Sequence, residues 1–180
     1  PTLIGSSNFG ELTFNTKLAS ALRLHLPEVM QIQAYKLVYS LYNNGSDLAS
    51  FYKGGKGYDY TLLIVETLDG CVFGGFCSRE WKPIGSYFGT GESFIFGCGA
   101  PGKGQKEGDA PYALSVYTWT HMNNYFCFAD LEKIAMGGGG QGFGFVIDAD
   151  FRSVGSSSCV TFGNDKSLDI ANESGTPTSR

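Results

Sequence analysis

The sequence predicts an α+β fold, mainly β and mostly antiparallel, in a single domain with a few short helices. Three observations carry that prediction. Gly 26 against Pro 6, together with Phe 14 and Tyr 10, favours short strands joined by tight turns over a helical bundle. Apolar segments at strand period recur along the chain, punctuated by Asn, Asp and Gly turn residues. Four consecutive glycines, Gly137, Gly138, Gly139 and Gly140, separate the stretch 131–136 from the alternating Phe143, Phe145 and Ile147. Glycine loses more backbone entropy on folding than any other residue, so such a run marks positive-φ backbone or a close approach. The expected form is a turn or bulge between strands 133–136 and 143–147, with at least one positive φ.

The elements follow in order. Residues 15–26 read as an amphipathic helix: Asn15 or Thr16 can cap it, Leu18, Leu22 and Leu26 recur at helical spacing, and Pro27 ends it. A strand is expected over 35–39 and a turn at Asn43, Asn44 and Gly45. Ser46 then caps a short helix presenting Leu48, Phe51 and Tyr52 on one side, and residues 54–57 form a flexible connection. Segments 60–66 and 72–76 flank Asp69-Gly70 as a hairpin, and their near-continuous apolar character places both centrally in a sheet. Another strand covers 93–96, and a polar, glycine-rich loop runs over 97–111. Segments 112–119 and 125–128 straddle Asn123-Asn124 as a second hairpin, and a strand is expected at 160–162. Residues 1–180 thus read as one domain with a core at about 18–164, and the polar stretch 165–180 is expected to fray.

Composition bounds the function. A net charge of -4 and a pI near 5.1, with no Lys/Arg cluster, argue against a nucleic-acid partner. No apolar run is long enough for membrane insertion. The five cysteines, dispersed and without a C-x-x-C pair, fit reduced thiols in a cytoplasmic domain better than a disulfide framework or a zinc site. The Asn44 and Asn172 sequons read as chance matches, and a chain beginning at Pro1 reads as a fragment of a longer protein.

Each chemical motif has a structural reading that fits better. The glycine run lacks the Lys-Ser/Thr pair of a phosphate loop. Gly97-Cys98-Gly99-Ala100-Pro101-Gly102 matches a dinucleotide fingerprint in letters, but Gly104, Gly108 and Pro111 forbid the helix that must follow. Asp148-Ala149-Asp150 starts like a calcium loop, yet Arg152, Ser153 and Cys159 occupy positions that loop cannot spare, so the aspartates shape a strand-end turn. His25 and His121 stand in no metal spacing, and neither a metal nor a cofactor is expected. Two candidates for chemistry remain. Glu92, set before a strand by Gly89-Thr90-Gly91, can act as a general acid or base if burial raises its pKa, with Asp148 or Asp150 as partner. Cys98, placed in the loop near Lys103 and Lys106, is the best candidate for a peroxide-consuming thiolate.

Taken in order, the segments 37–40, 44–46, 69–74, 87–94, 137–140 and 155–162 resemble the TLDc domain, with Trp81 and Trp119 at family tryptophan positions. The motif residues are Gly89, Thr90, Gly91 and Glu92, the four glycines, and Ser157, Ser158 and Cys159. The resemblance implies a sandwich of two antiparallel sheets with peripheral helices. It also implies a noncatalytic, monomeric interaction module in oxidative-stress protection, which binds V-ATPase subunits, regulates their assembly and has no defined catalytic site. Such domains occur in oxidation-resistance proteins, in nuclear-receptor-coactivator relatives and beside Rab-GAP domains in vesicle traffic. The implied location is the cytoplasm, with recruitment to vesicle or endolysosomal membranes through a partner. The alternatives are a weak enzyme using Glu92, a scavenger using Cys98, or a domain regulating an adjacent Rab-GAP. The 97–111 segment exceeds the usual family connection, and the family's closing E-[VI]-W strand is missing before Arg180.

Overall fold

A computed structural model describes residues 16–67, 71–98, 114–165 and 168, with the backbone of 3–4. In chain order the elements are β1 (Leu3–Ile4), α1 (Thr16–Arg23), α2 (Glu28–Gln31), β2 (Tyr35–Lys36), α3 (Leu41–Asn44) and α4 (Leu48–Gly55). Strands follow: β3 (Thr61–Glu66), β4 (Val72–Cys77), β5 (Ser86–Phe88), β6 (Phe94–Cys98), β7 (Leu114–Tyr117), β8 (Cys127–Ala129), β9 (Lys133–Met136), β10 (Phe145–Asp148) and β11 (Val154–Ser156).

The expected sandwich is present. One sheet runs β3-β4-β6-β7 and the other β11-β10-β9-β8-β5, with antiparallel neighbours throughout, while β1 and β2 form a small parallel pair. Strands β4 and β6 are buried along their whole length because the four-stranded sheet is covered on both faces. On the inner face Phe73, Cys77 and Ile95 meet Ile134, Met136, Phe145 and Ile147, with the Phe73 and Phe145 rings 5.6 Å apart. On the outer face Val72, Phe76, Phe94 and Phe96 pack beneath Leu18, Ala19, Leu22 and Leu26 around α1. Each fully buried Leu or Phe contributes about 1.5–3 kcal/mol of transfer free energy, so α1 is held by this stripe and not by its own eight-residue propensity.

Several expectations need correction. Segments 60–66 and 72–76 do pair, as β3 and β4, but β3 is an edge strand. Its apolar run arises because Leu62 and Ile64 pack on one face and Leu63 and Val65 on the other, and face burial leaves edge status undecided. The turn at Asp69-Gly70 and most of the 97–111 loop lie outside the described residues. No hairpin forms around Asn123-Asn124: β7 belongs to one sheet and β8 to the other, so 118–126 crosses the sandwich. Strand period reports which face is buried, not which neighbour is bonded. The strand at 160–162 is instead a turn inside the Cys159 to Asn164 bridge, and the strand at 35–39 covers only Tyr35–Lys36.

Two corrections concern α4. Its cap is Asp47, whose carboxylate accepts from the Ser50 amide at 2.8 Å, in place of Ser46. Its end includes Gly54 and Gly55 because Gly54 lies against the Val38 carbonyl, where a Cβ would stand 2.6 Å away. Similarly, Asn43 and Asn44 belong to α3, with the expected turn reduced to Gly45 at φ 88°. The core also reaches beyond 164, since Leu168 is buried against it. The rest of 165–180, apart from Asp165, lies outside the described residues.

A candidate interaction surface at the glycine run

The glycine run closes the β9 to β10 hairpin, in which Met136 pairs with Phe145. Gly137, Gly139 and Gly140 have φ of 78°, 77° and 70°, so the expectation of positive φ holds at three of the four. Close approach adds a second reason for glycine. A Cβ on Gly137 would stand 2.6 Å from Cys159 Sγ, and one on Gly138 would stand 2.7 Å from the Tyr87 hydroxyl.

That closeness lets the backbone bond sideways. The Gly137 amide donates to the Phe126 carbonyl (2.9 Å) and the Gly138 amide donates to Thr161 Oγ1 (2.9 Å). The Gly138 carbonyl accepts from the amides of Val160 (3.1 Å) and Thr161 (3.2 Å). Thr161, fully buried, turns its hydroxyl proton to Asn123 Oδ1 at 2.7 Å. Asn123 in turn anchors the crossing segment, its backbone carbonyl accepting from the Trp119 indole at 2.7 Å. The glycine run, the 119–125 segment and the 157–164 turn are thereby one hydrogen-bonded unit.

The Gly89 to Ser93 turn joins the unit through Trp119. A side chain at Gly91 would run into the Trp119 ring, so glycine is required where backbone lies on indole. Beneath the turn, Ser78 holds it from below: its hydroxyl lies 2.8 Å from Thr90 Oγ1 and 3.0 Å from Ser93 Oγ and accepts from the Thr90 amide at 2.8 Å. Ser78 and Ser93 are buried, and sharing these bonds offsets the cost of taking the hydroxyls out of water.

The site candidates from the sequence fall in different places. Glu92 is exposed on the turn, its amide facing Thr90 Oγ1 at 3.4 Å, so the buried setting expected of a general acid or base is not found there. It lines a shallow cleft of about 260 Å³ with His25, Leu26, Pro27, Phe94 and Thr118. Asp148 ends β10 and spends both oxygens on the chain, Oδ1 accepting from the Arg152 amide (2.9 Å) and Oδ2 from the Ser153 amide (3.0 Å). This is the strand-end turn expected for it, and Asp150 pairs with Arg152 at 3.4 Å. Cys98 is the last residue of β6, not a loop residue, and burial pushes its thiol up to about 11. Its placement near Lys103 and Lys106 falls outside the described residues. Ser157 donates to the Phe143 carbonyl at 2.7 Å. Cys159 is buried with its thiol on Asn164 Oδ1 at 3.0 Å, and burial raises its pKa. Ser158 is half-buried beside them.

Sequence reasoning places Asn123 only in a turn and Thr161 only within the 155–162 segment, and it missed that these side chains, with Ser78, knit the motifs together. Thr161 stands as a polar residue between Val160 and Phe162, whereas Ser78 and Asn123 neighbour other polar residues, and none of the three has a distinctive spacing. Above the unit the surface formed by the described residues is exposed. Met122 is 74% exposed, Tyr125 44% and Val160 37%, flanked by exposed His121, Asn124, Gly140 and Gln141. Tyr125 stacks on Tyr87 with ring centroids 4.5 Å apart, and His121, at φ 66°, has its ring 4.0 Å from that of Trp119. Among the described residues no cluster of three His, Cys, Asp or Glu side chains is placed to hold a metal, and no helix is long and apolar enough to cross a membrane.

Among known proteins, the TLDc domain family model matches residues 8–175 of this chain. The chain is 32% identical to human nuclear receptor coactivator 7 over 141 residues, which cover 78% of this chain and 14% of that protein. It is 33% identical to human and rat oxidation resistance protein 1 over the same length, covering 78% of this chain and 15% of those proteins. The chain thus spans about one seventh of the length of these relatives.

Proposed function

The chain belongs to the TLDc domain family, related to proteins named for oxidation resistance, and we propose that it works there as a noncatalytic interaction module. The observation that supports this reading is the fate of the motif residues. Gly89, Gly91, Gly137 and Gly138 are used for close backbone approach, and Ser157 and Cys159 for internal hydrogen bonds. The side chains left facing outward over them are Met122, Tyr125 and Val160, a rigidly backed, uncharged patch. Amphipathic aromatic and Met side chains on a fixed support are what protein interfaces use as anchors. The partner proposed is a V-ATPase subunit, with regulation of pump assembly as the consequence and recruitment to endolysosomal membranes through that partner. The whole polypeptides in which such domains occur contribute far more sequence than this chain, so a Rab-GAP context is part of the same proposal and not of the domain itself.

Pull-down of V-ATPase subunits by this domain, compared with its Met122→Glu and Tyr125→Ala variants, tests the reading. Met122 touches solvent over most of its surface, so its replacement leaves folding within about 0.5 kcal/mol of the parent. Loss of capture in the folded variants, with loss of bafilomycin-sensitive acidification changes in cells, is the expected result. Absence of capture by the parent domain, or equal capture by all three proteins, overturns it.

A further inference from the structure

Two thiols from opposite sheets meet inside the sandwich. Cys77 ends β4 of the four-stranded sheet and Cys127 begins β8 of the five-stranded sheet. Both are fully buried, and the Cys127 S–H donates to Cys77 Sγ at 2.9 Å. The Cys77 thiol donates onward to the Arg79 carbonyl at 3.1 Å. A disulfide requires about 2.05 Å between sulfurs, so closing this pair moves the sulfurs by less than ~1 Å. Of the three other described thiols, Cys159 is turned to Asn164 Oδ1, Cys98 is buried with the α1 face, and Cys71 is buried just before β4.

The pair lies directly beneath the Gly89 to Ser93 turn. Gly89 is partly exposed, and a Cβ there would stand 3.5 Å from Cys127 Sγ and 3.3 Å from Ser93 Oγ. A partly exposed residue without a side chain, together with Phe126, whose Cβ would stand 3.2 Å from a Gly89 Cβ, therefore lies over Cys127 on that side.

We propose that Cys77 and Cys127 form a redox modification site, closing to an inter-sheet disulfide when a small hydroperoxide reaches Cys127. In the first step Cys127 Sγ, giving up its proton, attacks a peroxide oxygen. The O–O bond breaks, the proton leaves with the departing oxygen as water, and Cys127 becomes a sulfenic acid. In the second step Cys77 Sγ attacks the sulfenic sulfur. The S–S bond forms, the S–O bond breaks, and the hydroxide leaves with the Cys77 proton as a second water. Two thiols and one hydrogen peroxide thus become one disulfide and two waters, with the thiols oxidised and the peroxide reduced. Burial keeps the Cys127 thiol protonated, which makes the step slow and stoichiometric. The site records oxidant exposure and is distinct from a scavenger that turns over. It operates independently of any partner at the outer surface.

The test uses the natural sequence. The reduced chain is exposed to hydrogen peroxide under native conditions, digested without reduction, and mapped by mass spectrometry. A linked pair of peptides containing Cys77 and Cys127, about 2 Da lighter than the two thiol forms, is expected. The link closes a loop across a sequence separation of 50, and Tm rises on the order of 10 °C, an increase that dithiothreitol abolishes. In Cys77→Ala the linked pair and the Tm rise vanish, and Cys127 is trapped as a sulfenic acid by dimedone. Native chain that keeps all its thiols after peroxide, or that pairs Cys127 with any other cysteine, overturns the proposal. Because the mapping needs no substitution, it decides the matter even if the variant misfolds.

Discussion

Thr161 and Gly138 grip each other from both sides: the Gly138 amide donates to the Thr161 hydroxyl at 2.9 Å, and the Thr161 amide donates to the Gly138 carbonyl at 3.2 Å. The relation joins residues 23 positions apart and fastens two sequence motifs whose separate meanings were opaque.

Replacing the hydroxyl tests that fastening. Thr161→Val keeps shape but leaves the Gly138 amide and Asn123 Oδ1 without the hydroxyl in a buried setting. A loss of about 1–3 kcal/mol is expected, read as a lower midpoint in urea with unchanged slope. Thr161→Ser, which retains the oxygen, loses less.

Positive φ and close approach can be separated by two glycines. Gly137 has φ 78° and its Cβ would meet Cys159 Sγ, whereas Gly85 has φ 67° with nothing within 4 Å. Gly85→Ala therefore carries the backbone cost alone, about 1–2 kcal/mol, and Gly137→Ala adds overpacking of about 1–3 kcal/mol. Gly137→Val is expected to prevent folding, as judged by near-ultraviolet circular dichroism. Equal losses for the two alanine variants would show that the Cys159 contact yields without cost.

The turn carrying Glu92 divides into supported and free positions. Gly91→Ala drives a methyl into the Trp119 ring and costs about 1–3 kcal/mol, while Glu92→Gln, at an exposed position, changes stability by no more than about 0.5 kcal/mol. Glu92→Gln is also expected to protect cells against peroxide as well as the parent. A folded Glu92→Gln domain that loses protection would restore the carboxylate as a functional group.

The cap of α4 gives a pH dependence with a defined sign. The Ser50 amide, donating to Asp47, is the first cause holding that carboxyl below its ordinary range. A depressed folded pKa contributes stability above the unfolded pKa, and that stability is lost as pH falls through the folded value. Acid titration followed at the Ser50 amide resonance should show release of the cap below the ordinary carboxylate range. Asp47→Asn, an equally good cap without the charge, should flatten that dependence. An unchanged titration in Asp47→Asn would assign the effect elsewhere.

Much of this was legible because short-range chemistry writes itself into the sequence. Leu18 and Leu22 declare the buried face of α1, and the glycine run declares positive φ. Asp148 declares its turn through the backbone amides four and five residues on. Where expectation failed, the missing information was a neighbour distant in sequence or a choice between equivalent neighbours. Ser46 and Asp47 are both able caps, and only Asp47 places a carboxylate oxygen on the Ser50 amide. The run at 60–66 looked central because both faces are covered, although only one edge of β3 is bonded within its sheet.

By itself the sequence determined the mainly β antiparallel character, the family, and the positions where backbone must be bare. Periodicity, turn chemistry and glycine content act within a few residues and need no partner. The tertiary structure decided what those bare positions meet. It set Gly91 on Trp119, Gly138 on Thr161, Glu92 in solvent, Cys98 in the core, and Cys127 against Cys77. These pairings depend on which strand joins which sheet. That choice is made by packing the two inner faces together, a global fit that no local pattern encodes.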